Sequence, residues 1–365
     1  MKKIILLGII VSALSSKAQV INPAILDTAS SIHLGKISIG AYVDTYFGAD
    51  VNEYKSGNRP YFVSSARRKE LNINLAYISL HYHSDRVHLR VIPGFGTYMS
   101  ANYAAEPAGL RFLVEANAGV CLSKKKGIWF DAGIMGSPFT NESAISKDHL
   151  MYTRSLAAEY VPYYLSGVKL TLPLNKKLTL YLYGLNGWQK INLNQYGGAG
   201  ATQLELKIND KMLINWNTYI GNERATATDT KRMRFFTDIF WVYNYKKFSV
   251  TSCAYLGQQW YYKNENKLWA QSNFIARYRF CDLFSLSGRV EYFYDPQKEM
   301  IVPVTNVKGG SIYSAGLSAC FHIDEHALVR LEGRYFNATQ KIYRNQNDEP
   351  INQSIMMVAN ITAWF

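Results

Sequence analysis

Ala327-Leu328-Val329-Arg330-Leu331-Glu332-Gly333-Arg334-Tyr335 is the stretch that decides the fold. In an extended chain Val329, Leu331, Gly333 and Tyr335 fall on one face, and Arg330, Glu332 and Arg334 fall on the other. Three charges sharing a face need water or one another, while the opposite face suits hydrocarbon. The reading is a strand with one wet side and one apolar side.

The same period of two recurs to the last residue. Leu268, Ala270, Phe274, Ala276, Tyr278 and Phe280 oppose Gln271, Asn273, Arg277 and Arg279. At the end of the chain, Ile355, Met357, Ala359, Ile361, Ala363 and Phe365 oppose Ser354, Asn360 and Thr362, although Met356, Val358 and Trp364 blur the polar side. Residues 36–47, 110–122, 201–209, 212–220 and 284–294 alternate in the same way, and a helix would scatter these faces. Over 71–82 the apolar phase shifts near Ala76 and Tyr77, where a bulge is expected.

Seven tight polar connections are read at 83–86, 123–127, 173–177, 209–211, 244–247, 281–283 and 324–326. Eight longer ones fall near 48–69, 99–109, 138–162, 189–200, 224–233, 261–266, 295–308 and 337–353. Alternating short and long connections belong on opposite sides of a membrane. Seven short turns with both chain ends on one side give eight hairpins, hence an all-β transmembrane antiparallel up-and-down barrel of about 16 strands, with 14 or 18 left open. The short turns are expected in the periplasm and the long loops outside the cell.

Composition agrees with this. The chain holds 27 Tyr, 17 Phe and 7 Trp but only 18% charged residues, fewer charges than soluble domains usually carry. Met1-Lys2-Lys3, the apolar run Ile4 to Leu14 and the small residues Ser16 and Ala18 read as a secretory signal peptide over 1–18. Residues 19–35 are then a periplasmic N-terminal segment and 36–365 the outer-membrane barrel. Removing Lys2, Lys3 and Lys17 lowers the formal charge from +13 to +10, with no basic stripe of the kind that binds nucleic acid. Cys121, Cys253, Cys281 and Cys320 are scattered without a Cys-x-x-Cys pair, so free thiols are expected rather than a zinc site.

Phe47, Trp129, Trp188, Trp260, Phe284 and Tyr294 stand near strand ends and are expected in girdles at the two lipid–water interfaces. Phe365, in phase with five apolar positions before it, reads as the signal by which outer-membrane assembly machinery recognises a barrel.

In order and spacing, several stretches resemble the β-barrel porins common in Bacteroidota outer membranes. They are Gly40-Ala41-Tyr42-Val43-Asp44-Thr45-Tyr46, Glu70 to Leu75 with Asn72 and Asn74, Gly133 to Glu142, Tyr152-Thr153-Arg154-Ser155, Pro162-Tyr163-Tyr164 with Gly167, and Asn186-Gly187-Trp188. The resemblance covers most of the chain beyond residue 35 and implies a channel without naming its solute. Ser137-Pro138-Phe139 ahead of Glu142 departs from the family pattern and leaves the course of the following loop open.

No Gly-x-Ser-x-Gly elbow or His-Glu-x-x-His helix occurs, so no catalytic group, cofactor or metal is expected. His81, His83 and His88 flank a turn, and Cys320, His322 and His326 supply too few ligands for a metal site. The polar residues on the inward phase do suggest a role. Asp44, Arg111, Glu115, Asn117, Arg277, Arg289, Glu291, Arg330, Glu332 and Arg334 are expected to line the pore, either as cross-strand ion pairs or as a field that orients solutes. The third long connection is expected to fold inward or to lie outside, with Glu142 and Arg154 as constriction residues in the first case.

A passive route for small hydrophilic solutes or ions follows, mildly favouring anions. The alternative is a plugged barrel whose outer loops bind a partner. Outer-membrane lipid surrounds either form, and a homo-oligomer is expected by analogy with large porins.

Overall fold

The computed structural model describes residues 31–52, 57–193, 197–224, 232–262, 266–301 and 309–365. The leader region 1–18 lies outside the described residues, as does most of 19–35. Sixteen long strands are present among the described residues: β1 (Ile37–Asp50), β2 (Leu71–His83), β3 (Val87–Phe95), β4 (Leu113–Ser123), β5 (Ile128–Gly136), β6 (Tyr164–Pro173), β7 (Leu178–Leu185) and β8 (Ala199–Asn209). They continue as β9 (Met212–Asn222), β10 (Arg232–Tyr245), β11 (Phe248–Tyr261), β12 (Lys267–Cys281), β13 (Phe284–Asp295), β14 (Gly310–Asp324), β15 (Ala327–Ala338) and β16 (Gln353–Trp364).

Each strand pairs antiparallel with the next, and β16 returns to β1 from Met356↔Asp50 to Trp364↔Tyr42. Phe365 and Ala41 exchange N–H···O bonds of 3.0 Å at this seam. The sheet therefore closes without an edge, which satisfies the backbone as a hydrocarbon surround requires. A short strand, Ile32–Leu34, turns at Gly35 and folds back on the start of β1.

Side chains sort as the alternation predicts. On β15 Leu331 is 53% exposed and faces out, while Arg330, Glu332 and Arg334 are buried on the inside. Phe274, Val290, Leu317, Met357 and Ile361 are also exposed large apolar side chains on the outer wall. Such a surface is tolerable only against lipid.

The bulge lies two residues before the expected place. Asp44 pairs with Leu75 and Thr45 with Ile73, so Asn74 is the extra residue, and Asn74 and Leu75 both turn inward. The unbroken apolar run Leu75-Ala76-Tyr77-Ile78 hides the shift in the sequence.

Phe47, Trp260, Phe284 and Tyr294 are on the outward phase, but two of the expected girdle residues are not. Trp129 stacks on His88 inside the short-turn mouth, with ring centroids 4.5 Å apart. Trp188, in a loop rather than a strand, packs inside against Tyr219 and Phe236. All four cysteines are free.

The interior at the long-loop end is packed with apolar side chains. Strand residues Tyr46, Tyr219, Phe236, Tyr255, Trp269, Phe293 and Phe336 meet Phe62, Phe139, Leu156, Val161, Ile301, Ile342 and Tyr343 from the loops. Room for the Trp269 indole comes from Gly257, where a Cβ would sit 2.1 Å from the ring. Gly257→Ala is therefore expected to lower stability by roughly 1–3 kcal/mol through overpacking. Gly333→Ala, with nothing within 4 Å of the added carbon, should leave it nearly unchanged. Urea unfolding in detergent, followed by tryptophan fluorescence, checks the pair, and equal stability of the two variants would refute the packing argument.

Candidate functional site

The third long connection, residues 137–163, runs from β5 into the barrel and crosses its interior. A chain in that position has no sheet partner for its backbone, and each buried N–H or C=O left unpaired is costly. The wall supplies the partners with charged side chains. Asp238 on β10 accepts the Thr140 N–H at 2.6 Å, Glu332 on β15 accepts those of Tyr152 and Thr153 at 2.7 and 3.2 Å, and Glu291 on β13 accepts that of Leu156 at 2.7 Å.

Arginines take the carbonyls. Arg277 donates to His149 O at 2.6 Å, Arg289 to Thr153 O at 2.6 Å, Arg330 to Ser146 O at 2.8 Å and Arg334 to Arg154 O at 2.9 Å. Charge-assisted bonds of this kind are roughly twice as strong as neutral ones, so the loop is clamped rather than merely resting on the wall.

The clamp residues also neutralise one another. Arg289 lies 3.0 Å from Glu291, 3.5 Å from Glu332 and 3.6 Å from Glu142, and Arg334 bonds Glu291. All five side chains are closed to solvent. Removing one partner of a buried pair typically costs about 3–5 kcal/mol, because the other is left uncompensated.

Of the residues expected on the pore wall, Arg289, Glu291, Arg330, Glu332 and Arg334 do face the interior, but loop 137–163 covers them. Asp44 is fully buried and accepts amide N–H groups from Asn74 and Asn360 at 3.0 and 2.9 Å. Glu115 pairs with Arg90 at 3.1 Å, and half-buried Asn117 donates to Ile134 O. Arg277 keeps partial exposure.

Arg111 is a correction. It is exposed and precedes β4, because a 3-10 turn over Ala108–Leu110 ends the alternation there, and its Nε donates to Glu106 O at 2.6 Å. Glu142 and Arg154 also differ from expectation. They are buried inside the loop, where Glu142 accepts the Ser155 N–H at 2.6 Å and Arg154 donates to the Ser143 and Ala144 carbonyls. They brace the loop's own fold. Phe365 sits at the seam, exposed on the outer phase.

Sequence reading missed Asp238, Asn141 and Ser146. Asn141 bonds Thr251 and Asn273 across the interior, and Ser146 accepts from Arg330 through its Oγ and donates its N–H to the Tyr42 hydroxyl oxygen. The inward position of Asp238 between Phe236 and Phe240 was the available signal. At the short-turn end, His88 bonds Asp131, which lies 3.5 Å from Lys169, and His322 bonds Ser285 at 3.0 Å. Among the described residues no three metal-ligating side chains converge.

A family model described as "Putative beta-barrel porin-2, OmpL-like" matches residues 36–364. The chain belongs to that family. It is accordingly an outer-membrane barrel of porin type. Solved structures share the fold at low identity. OmpT of Vibrio cholerae aligns over 92% of this chain and 100% of its own, at 11% identity and a TM-score of 0.57. The outer-membrane channel DcaP of Acinetobacter baumannii covers 89% and 96% at 7% identity and 0.61. An anion-selective porin from Comamonas acidovorans covers 90% and 99% at 4% identity and 0.57. No curated protein sequence matches the chain.

The clamp gives a local prediction. Glu332→Ala should raise hydrogen exchange at the Tyr152 and Thr153 amides at least tenfold while the strand amides stay protected. Unchanged protection at these two amides would refute the role of Glu332.

Loop residue Glu159 gives a pH prediction. Burial pushes its carboxyl up to about 7, outweighing the Val63 N–H accepted at 2.8 Å and the charges of Arg154 and Arg334. The folded state then holds more protons than the unfolded one between about pH 4.5 and 7, so stability falls as pH rises through that window. Glu159→Gln should flatten this slope and raise the melting temperature at pH 8. Parallel melting profiles for the two proteins would contradict it.

Proposed function

We propose that this porin-family barrel is a channel for passive diffusion of small hydrophilic solutes or ions, without a chemical step, narrowed by loop 137–163. The observation that carries the reading is the uneven access of water to the inner wall. The charged clamp side chains Arg289 and Glu291 on β13 and Glu332 and Arg334 on β15 are closed to solvent, whereas Arg90, Lys169 and Lys207 on β3, β6 and β8 keep 22%, 25% and 33% of their side chains exposed. The solute path then runs along β3–β8, past the loop instead of through the clamp. A mild preference for anions accompanies it, in keeping with the basic excess of the chain.

Export through a cleaved leader over 1–18 and recognition of Phe365 by the assembly machinery belong to the same reading. So does homo-oligomer formation, since the Vibrio cholerae neighbour is described in a trimer form.

A plugged barrel that binds a partner through its outer loops is favoured by one observation, the apolar packing of loop side chains at the long-loop end. Single-channel recording in planar bilayers decides between the two. Discrete conductance steps with a reversal potential on the anion side are expected, and they should grow in Glu332→Ala as the loop loosens. No steps, together with no swelling of liposomes in small sugars, would overturn the channel in favour of the plug. A cation-side reversal potential would overturn the anion preference alone.

A further inference from the structure

At the edge of the clamp, toward the periplasmic mouth, the inner wall of β12 carries Arg277 and Arg279, which among the described residues have no carboxylate within 4.0 Å, while Arg330 nearby on β15 faces Asp44 through Asn360. Register places Ser249, Arg277, Ser287 and Ser318 side by side in one row across β11, β12, β13 and β14, which ends at the clamp carboxylate Glu332 on β15, three strands from Arg277. The next row toward the mouth is Arg279, Ser285, Cys320 and Arg330, and His322 follows on β14. Directly opposed residues on one face lie about 5 Å apart, so these groups form a single basic, hydroxyl-lined patch.

The partners of the patch are all neutral. Arg277 donates to Ser287 Oγ and His149 O, Arg279 to the Cys281 and Asp282 carbonyls, and Arg330 to Asn360, Ser146 and Thr362. Among the described residues none of the three guanidinium groups has a carboxylate within 4.0 Å, in contrast to Arg289, Arg334 and Arg90 on the same inner surface. The acids in the adjoining turns do not supply one. Asp324 accepts the His326 N–H, Glu325 approaches His326, and the Asp282 contact with Arg279 is through its carbonyl.

A second observation comes from the same row. Ser318 is fully buried, yet its hydroxyl has no hydrogen-bond partner. A buried hydroxyl without a partner is an exception in folded proteins, and here it lies one strand from Ser287 and two from Arg277. Arg279 is exposed and Arg277 and His322 are partly exposed, so the patch opens to the periplasmic side of the lumen.

We infer that this patch is a binding site for a small oxyanion, of the phosphate or carboxylate kind, held by Arg277 and Arg279 with His322 at its rim and the Ser318 hydroxyl behind. Planar guanidinium forks match oxyanion oxygens, and the absence of a protein counter-ion leaves their charge for a solute. The inference rests on the channel reading for its physiological use, but not for the binding itself.

The test is binding of inorganic phosphate to the full barrel folded in detergent, followed by phosphorus NMR and calorimetry against a chloride background. Saturable binding is expected. It should weaken at least tenfold in Arg277→Gln/Arg279→Gln, less in Ser318→Ala, and not at all in Arg86→Gln, which alters a turn on the far side of the mouth. Competition by acetate assigns the site to oxyanions in general, and its failure assigns it to tetrahedral ones. Heat-dependent gel migration reports folding of each variant, and Ser318→Ala keeps the test decisive if the double variant does not fold. Absence of saturable binding, or equal binding by wild type, Ser318→Ala and the double variant, would overturn the site. Phosphate binding by a barrel that conducts nothing would overturn the channel instead.

Discussion

Everything in this molecule follows from where backbone polar groups find partners. In hydrocarbon none can be left over, so the outer wall must be a sheet without an edge, and the β16–β1 seam supplies the last row of bonds. The same demand reappears inside, where loop 137–163 leaves the sheet and cannot pair with itself. There it is met by wall side chains: three carboxylates take up loop N–H groups and four arginines take up loop C=O groups. The barrel's inner charges are therefore as much structural ligands of a peptide segment as they are a surface for solutes.

This changes the meaning of the alternating charges on β15. Arg330, Glu332 and Arg334 look in isolation like the lining of a wet pore, and their phase is indeed inward. Their burial comes from a segment that is distant in sequence, with Arg330 separated from Ser146 by 184 residues. Periodicity reports which way a side chain points, and nothing in it reports what lies in front of that side chain.

Strand number, connection lengths and the orientation of nearly every strand were legible because a two-residue period over ten or more positions is a redundant signal. Single-residue events were not. The extra residue at Asn74 is masked by the apolar neighbours that follow it, and the 3-10 turn before β4 took Arg111 out of phase. Trp129 and Trp188 have the composition of girdle residues, but one is in phase with Asp131 and the other is outside any strand. Glu142 and Arg154 were placed on the correct loop, yet their roles depend on contacts within it that no local pattern encodes.

The clamp also links permeability to the history of the chain. Its anchor points lie on β10, β12, β13 and β15, which come after the loop in sequence, with separations from 98 residues for Thr140 and Asp238 upward. Contacts of such long range form late, once the intervening chain is in place. A barrel inserted with one hairpin slipped by a residue would turn its anchors to the lipid and leave the segment unmoored. The narrowing of the lumen is thus a by-product of completed assembly, and a leaky barrel would report a misregistered one.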